Sequence, residues 1–453
     1  MNFKDKKVLV CGMALSGVYS AILLKKLGAH VILQDIKDTD DVRRQGKQLE
    51  DIGVELYLGK NPDEIVLDQD AIVLSPGIPL SLEFIKKAMQ EGIYVIGEFE
   101  LASKFCKCPV AAITGTNGKT TTTTLLGDIM KSFIENTAIV GNIGIPFTQE
   151  VSGLDESSFC VAEISSFQLE TIDTFRPNIS AVLNITPDHL DRHKTLENYI
   201  AMKERIFSNQ KESDFLILNY DNPHCLDMKN RASCQVIFFS TKKELEEGVF
   251  LKGDDIWIRF NNMDFSLINI NELNIIGYHN VENAMAASAM ALCAGVPQNI
   301  IYEALKEFKA VPHRMEYVGA VNDIIFYNDS KATNPDAATK SVESMTRPTI
   351  LIGGGYNKDT PFDDWVKSFD KKVKYLVVIG SAKEDILSLC KKYNFKNAVS
   401  ADTFEEAMNL AYENAESGDC VLLSPACASW DMFSSYEERG NLFKEFVFEL
   451  GGE

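Results

Sequence analysis

The stretch "TGTNGKTTTTT", residues 114–124, decides how the rest of the chain is read. A Gly-rich turn ending in Gly118-Lys119-Thr120 is suited to holding phosphates. The eight-residue phosphate loop has its first Gly where this chain has Ile113, and here the first Gly arrives two residues late, at Gly115. The apolar run "PVAAIT" before it predicts a strand, and "TTTLLGDIMKSF" after it predicts a helix. Backbone N–H groups of Gly115, Thr116, Asn117 and Gly118 at a helix N-terminus can cradle a triphosphate. Lys119 would neutralise its outer phosphates, and Thr120 or Thr121 could reach Mg²⁺.

In open parallel sheets, ligands lie beyond the carboxyl ends of the strands. The strand-like run "SFCVA" ends in Glu163, a carboxylate placed like a metal ligand. The run "AVLNIT" leads to Asp188-His189, with Asp191, Arg192 and His193 close behind. Lys203, in "NYIAMKERIF", shares a helical face with Ile200 and Phe207. A Lys on an apolar stripe can snorkel to solvent. Alternatively, desolvation strips its proton and makes it a nucleophile toward carbonyl groups, CO₂ included.

Upstream, "KKVLVCG", "AHVILQD", "AIVLSPG" and "IYVIGE" alternate with helical patterns, which reads as a parallel sheet with crossover helices. Its first turn, "GMALSG", resembles G-x-G-x-x-G with Ala14 at the middle Gly, and Asp35 closes the second strand. That layout suits a nucleotide with Asp35 on a ribose or base; a tight turn with no ligand fits as well. Residues 236–270 alternate ("VIFFS", "IWIRF", "FSLINI", with Asn261-Asn262 as a turn) and read as an antiparallel insert. A helix over 280–294 follows.

The last third repeats the α/β theme in "DIIFYNDS", "PTILIGGG", "KYLVVIG" and "DCVLLSPA". Its strand ends offer His313, Arg314, Asp329, Lys331, Thr333, Lys358, Ser424 and Ser429, and Asn334-Pro335 reads as a helix cap and first-turn Pro. Arg314, Lys331 and Lys358 could hold phosphate or the carboxylates of an acidic small molecule. The expected fold is therefore α/β in three domains: 1–97, 98–309 with a parallel sheet and a small antiparallel insert, and 310–453.

A net charge of −20 in 453 residues argues against a nucleic-acid partner, because nothing supplies a broad basic face. No stretch approaches the ~20 apolar residues of a membrane span. The ten Cys are scattered and read as reduced thiols of a cytoplasmic protein.

Along its whole length the chain resembles the Mur ligases of peptidoglycan synthesis. The resemblance is carried, in order, by "TGTNGKTTT", "EISSFQLE", "NITPDHLDRH", "YIAMKERIF", "HNVENA", "VPHRMEYV", "NDSKATN" and "LSPACASWDMF". The last two resemble the branch that adds D-glutamate. The resemblance implies that the outer two domains are Rossmann-like and the central one a P-loop-type ATPase. The resemblance implies ATP-driven amide formation: the carboxylate of UDP-N-acetylmuramoyl-L-alanine attacks the γ-phosphate, and the D-glutamate amine attacks the resulting acyl phosphate. It implies catalytic roles for Lys119, Glu163, His189 and Lys203. Two Mg²⁺ ions would be held by Thr120, Glu163, His189 and a CO₂-derived carbamate on Lys203. By the same resemblance Asn280 and Asn283 lie beside adenine, and Arg314 and Asp329 contact ATP. Leu15, Ser16, Asp35, Gly77 and Asn142 belong to the UDP-substrate, and Thr333, Lys358, Ser429 and Tyr436 to D-glutamate. A cytoplasmic monomer is the family expectation. Trp430 and Tyr436 depart from the Leu and Phe often found there. A folylpolyglutamate-synthase-like ligase, a nucleotide switch without catalysis, and an NAD dehydrogenase are the rival readings; the first normally lacks the N-terminal unit.

Overall fold

The computed structural model describes residues 2–451. Three separate sheets follow one another along the chain. The first is wholly parallel, with Lys7–Cys11 at its centre. His30–Asp35 and then Glu55–Leu58 lie on one side, Ala71–Leu74 and Tyr94–Gly97 on the other. Continuous burial along Ala71–Leu74 explains its unbroken apolar run.

The second sheet has nine strands. Val110–Thr114 lies between Phe159–Glu163 and Ile179–Val182, with Thr137–Gly141 at the near edge. Beyond Ile179–Val182 come Phe215–Asn219, Gln235–Ser240, Gly248–Lys252, Asp255–Phe260 and Met263–Asn269. The expectation for 236–270 is corrected here. Gln235–Ser240 pairs in parallel with both Phe215–Asn219 and Gly248–Lys252, and antiparallel pairing begins only between Gly248–Lys252 and Asp255–Phe260. Alternation marks a half-buried strand in either direction, so it cannot choose the partner. The Asn261-Asn262 turn is as expected, with φ of 49° and 63°. The helix expected at 280–294 spans Tyr278–Cys293.

The third sheet runs Glu316–Val321, Ile324–Asn328, Cys420–Leu423, Thr349–Gly354, Val373–Ile379, Ala398–Ser400, and only its first pair is antiparallel. The cores are unequally shared. One apolar cluster runs from Phe3 and Val10 of the first unit through Phe99 to Phe147, Cys160 and Leu218 of the second. The clusters of the third unit, around Trp365 and around Phe443, hold only residues after 314.

Candidate active site

The centre of the second sheet carries the opening motif. Val110–Thr114 runs into the loop, and helix Lys119–Lys131 starts after Gly118, whose φ is +85°. A Cβ on Gly118 would stand 2.2 Å from Asn283 Oδ1, so the loop closes against helix Tyr278–Cys293 only because no side chain is there. The Asn283 amide donates to Asn280 Oδ1 (3.1 Å), and Asn280 donates to Ile276 O (2.8 Å). Both side chains are buried.

The loop N–H groups are not all free. Thr116 N–H donates to Asn184 O, and Asn117 N–H to Asn184 Oδ1, both at 2.9 Å. The orphan N–H groups of the first helical turn, from Lys119 onward, remain for an anion. The Lys119 ammonium folds back to donate to Gly115 O and Thr116 O, each at 2.9 Å. Burial lowers its pKa, and Glu163, Asp188, Arg314 and Lys358 all lie within its electrostatic reach.

Lys203 does not snorkel. It is 1% exposed, at the end of helix Leu196–Glu204, which Thr195 caps. Its Nζ donates to Gly115 O (2.8 Å) and Thr114 Oγ1 (3.4 Å) and lies 4.7 Å from the centre of the Tyr199 ring. Burial, then the nearby Lys119 charge, push its pKa well below the ordinary value. Glu163 pairs with Ile113 in the sheet, one strand over. Its Oε1 accepts from Asn142 Nδ2 (2.7 Å), while its buried Oε2 has no partner among the described residues. An orphan carboxylate oxygen, on the strand beside the one that leads into a hydroxyl-bearing helix start, is the donor chemistry a hard cation takes. The Lys203 ammonium is not a ligand, so it fits such an ion only after losing its charge.

His189 sits at φ 53°, at the start of a short helix, Leu190–His193, with its ring against Phe167. Burial lowers its pKa to about 4, leaving a neutral imidazole. Its neighbour Asp188 is buried and is met from the third unit. Lys358 Nζ lies 2.9 Å from Asp188 Oδ1, and Asn334 Nδ2 lies 3.2 Å from Oδ2. Burial opposes ionisation of Asp188, but Lys358 wins and holds its pKa below the usual value.

Arg314, Lys340 and Ser341 of the third unit face Asn117, Thr121, His279, Glu282 and Asn283 of the second across one pocket. Asp329 is fully buried at the foot of this wall, accepting from Ser341 Oγ, Ser424 Oγ and Met315 N–H. Burial lowers Lys331 to about 8, with Arg314 adding repulsion, and Glu163 and Lys119 are in its field. Tyr436 lies against Lys331, its ring centre 5.3 Å from Nζ. Thr333 is half-buried and Ser429 is buried in the same unit, and the exposed Trp430 packs on Tyr356.

Leu15, Ser16, Asp35 and Gly77 gather apart, at the carboxyl edge of the first sheet. The Asp35 carboxylate accepts from Met13 N–H (2.8 Å) and Lys37 N–H (2.9 Å). Leu15 is 63% exposed. Arg192 links this edge to the second unit, reaching Gly77 O and Ile78 O while paired with Glu170 at 2.6 Å. Asn184, Asp336 and Lys340 are not among the residues singled out in the sequence; Asn184 is marked only by its place after a strand, Asp336 by a first helical turn, and Lys340 by its i,i+4 spacing from Asp336.

Comparison with known proteins bears on the chain as a whole. Residues 6–97 match the model of the MurD-like N-terminal domain of Mur ligases, 113–291 the Mur ligase middle domain, and 313–427 the Mur ligase glutamate ligase domain. A protein of Thermoanaerobacter sp. (strain X514), named UDP-N-acetylmuramoylalanine–D-glutamate ligase, is 47% identical over 99% of this chain and 100% of its own. One of the same name from Lachnoclostridium phytofermentans is 47% identical over the full length of both. Among solved structures, the MurF ligase of Acinetobacter baumannii superposes with a TM-score of 0.64 at 16% identity, covering 92% of this chain and 90% of that one. UDP-N-acetylmuramate-alanine ligase MurC of Thermotoga maritima gives 0.62 at 18%, covering 98% and 99%. At such identities these structures speak for the fold alone.

Proposed function

The chain belongs to the Mur ligase family, and from that premise we propose that it joins D-glutamate to UDP-N-acetylmuramoyl-L-alanine at the expense of ATP, in peptidoglycan precursor synthesis. The observation that carries this reading is 47% identity, over essentially every residue, to proteins named for that reaction.

The proposed assignment of parts follows from the charges. A carboxylate must approach a triphosphate, so cations must offset their repulsion. Lys119 would release its loop carbonyls and turn to the outer phosphates. Mg²⁺ would be held by Thr120 and by the unpartnered oxygen of Glu163, and it would supply charge neutralisation there. Neutral Lys203 is poised to take up CO₂, and its carbamate with His189 would hold a second ion. Asn142 would orient the muramoyl-alanine end beside Glu163. Asn280 and Asn283 would shape the adenine side, with Arg314 and Asp329 closing the ATP site from the third unit.

Acyl transfer from the mixed anhydride to the amine then completes the amide and releases phosphate. Lys358 would take a D-glutamate carboxylate, with Thr333, Ser429 and Tyr436 around it. Leu15, Ser16, Asp35 and Gly77 would seat the UDP end. We place the domain boundaries near 97 and 309, and take the working form to be a cytoplasmic monomer.

The test is phosphate release. It should require ATP, UDP-N-acetylmuramoyl-L-alanine and D-glutamate together. Equal release with L-glutamate, or release without the UDP-substrate, overturns the reading.

A further inference from the structure

The phosphate loop is gripped from two sides at Asn117. Its own unit holds the backbone: Asn184 Oδ1 accepts the Asn117 N–H at 2.9 Å, and Asn184 Nδ2 donates to Asn117 O at 3.0 Å. The Asn117 side chain points the other way, into the third unit. Its Nδ2 donates to Asp336 Oδ2 at 2.5 Å, and its Oδ1 accepts from Asn334 Nδ2 at 3.2 Å. Asn334 has little freedom to turn. Its Oδ1 caps helix Pro335–Ser344 by accepting from Ala337 N–H (2.9 Å), so its amide nitrogen is left to face the loop and Asp188. Asp336 lies in the first turn of that helix, where negative charge is favoured, and Lys340 one turn on pairs with it at 3.1 Å. None of Asn334, Asp336 and Lys340 was given a ligand in the assignment above.

We propose that Asp336 is a positioning residue that ties closure of the third unit to the formed phosphate loop. Asn117 immediately precedes Gly118 and the helix start that receives phosphate. A loop shifted off Asn184 would carry the Asn117 amide away from Asp336, and an open third unit would leave that amide unheld. The formed loop and the closed arrangement therefore stabilise each other. Closure is also what brings Lys358 and Lys331 to the reacting end. The inference rests on the ligase reading for its kinetic consequences, but not for the contact itself.

Small-angle scattering of the full chain without ligands, paired with steady-state kinetics, tests it. D336A should be more expanded than the natural protein and should lose about tenfold in kcat, the scale of one hydrogen bond to a charged group. Its KM for the UDP-substrate should be unchanged, because that seat lies elsewhere. D336N keeps an acceptor for Asn117 and should restore both compactness and turnover. N117D sets two carboxylates face to face and should open the chain; N117D/D336N restores the bond with its polarity reversed and should close it again. A D336A protein as compact and as active as the natural one overturns the proposal, as does a D336N protein no better than D336A. If D336A fails to fold, the reversed pair decides alone: N117D/D336N no more compact than N117D overturns it. A natural protein without D-glutamate-dependent phosphate release would sink the ligase reading and leave the scattering comparison standing.

Discussion

Two buried carboxylates lie at the ends of parallel strands in this molecule with the same hydrogen-bond deficit, and only one of them sits in the candidate site. Glu98 follows strand Tyr94–Gly97; Glu163 ends strand Phe159–Glu163. Each is 1% exposed. Each has one oxygen satisfied, by Thr148 in one case and Asn142 in the other, and one buried oxygen with no partner among the described residues. The difference is in what surrounds them. Glu163 is in the field of Lys119, Lys203 and Lys331, brought from three separate segments. Among the described residues no charged side chain compensates Glu98, and burial raises its pKa despite the Thr148 bonds. An orphan acceptor among cations is a place for a ligand; the same orphan among apolar groups is a cost that the fold tolerates.

The largest blow to this contrast should come from K203A, which removes the group that crosses between loop and helix. Turnover should fall by about 10³-fold or more, the range for losing a preorganised charge at the reacting centre. Added short carboxylates such as formate should restore part of it if a carbamate is the working form. Full activity in K203A would deny Lys203 any part.

Next comes E163Q, which should lower kcat by about 10²-fold while leaving thermal stability nearly unchanged, since the amide oxygen can keep the Asn142 bond. A large drop in Tm with intact kcat would make Glu163 a structural group like Glu98. K358A should raise the KM for D-glutamate about 10- to 100-fold, as expected for a bond to a charged ligand group, with the KM for the UDP-substrate unaltered. It also strands Asp188 in the closed form, so scattering should show expansion.

The smallest effect is expected from E98Q, which should leave phosphate release unchanged. Because burial raises the Glu98 pKa, the folded chain keeps that proton to higher pH than the unfolded chain does. Its contribution is thus fully present in acid and is lost as pH rises through the folded value. E98Q should therefore match the natural protein in urea at acid pH and exceed it by about 1–2 kcal/mol at pH 8, the scale of one unsatisfied buried group. Equal stability at both pH values would remove the contrast.

What could be read from the sequence was what strands and helices encode locally. The phosphate loop, Glu163 and His189 were legible because an apolar strand must end somewhere and its end faces the ligand edge. Lys203 was legible as an anomaly of helical spacing, though its direction, inward to Gly115 O, was not. The parallel pairing of Gln235–Ser240 was hidden, because burial on one face does not depend on the partner's direction. Asp188 with Lys358, and Asn117 with Asp336, were hidden for another reason. These pairs are 170 and 219 positions apart, and nothing local in either segment points to the other.

The core shared by the first two units, together with Arg192 bridging to Gly77 and Ile78, has a kinetic meaning. On the proposed reading, the groove for the nucleotide sugar would be assembled before anything arrives, whereas the amino-acid seat would be finished only with the third unit in place, since that unit shares no apolar cluster with the other two. An incoming D-glutamate would then meet a carboxylate whose far end is already anchored, and the order of arrival would follow from which parts share an interior.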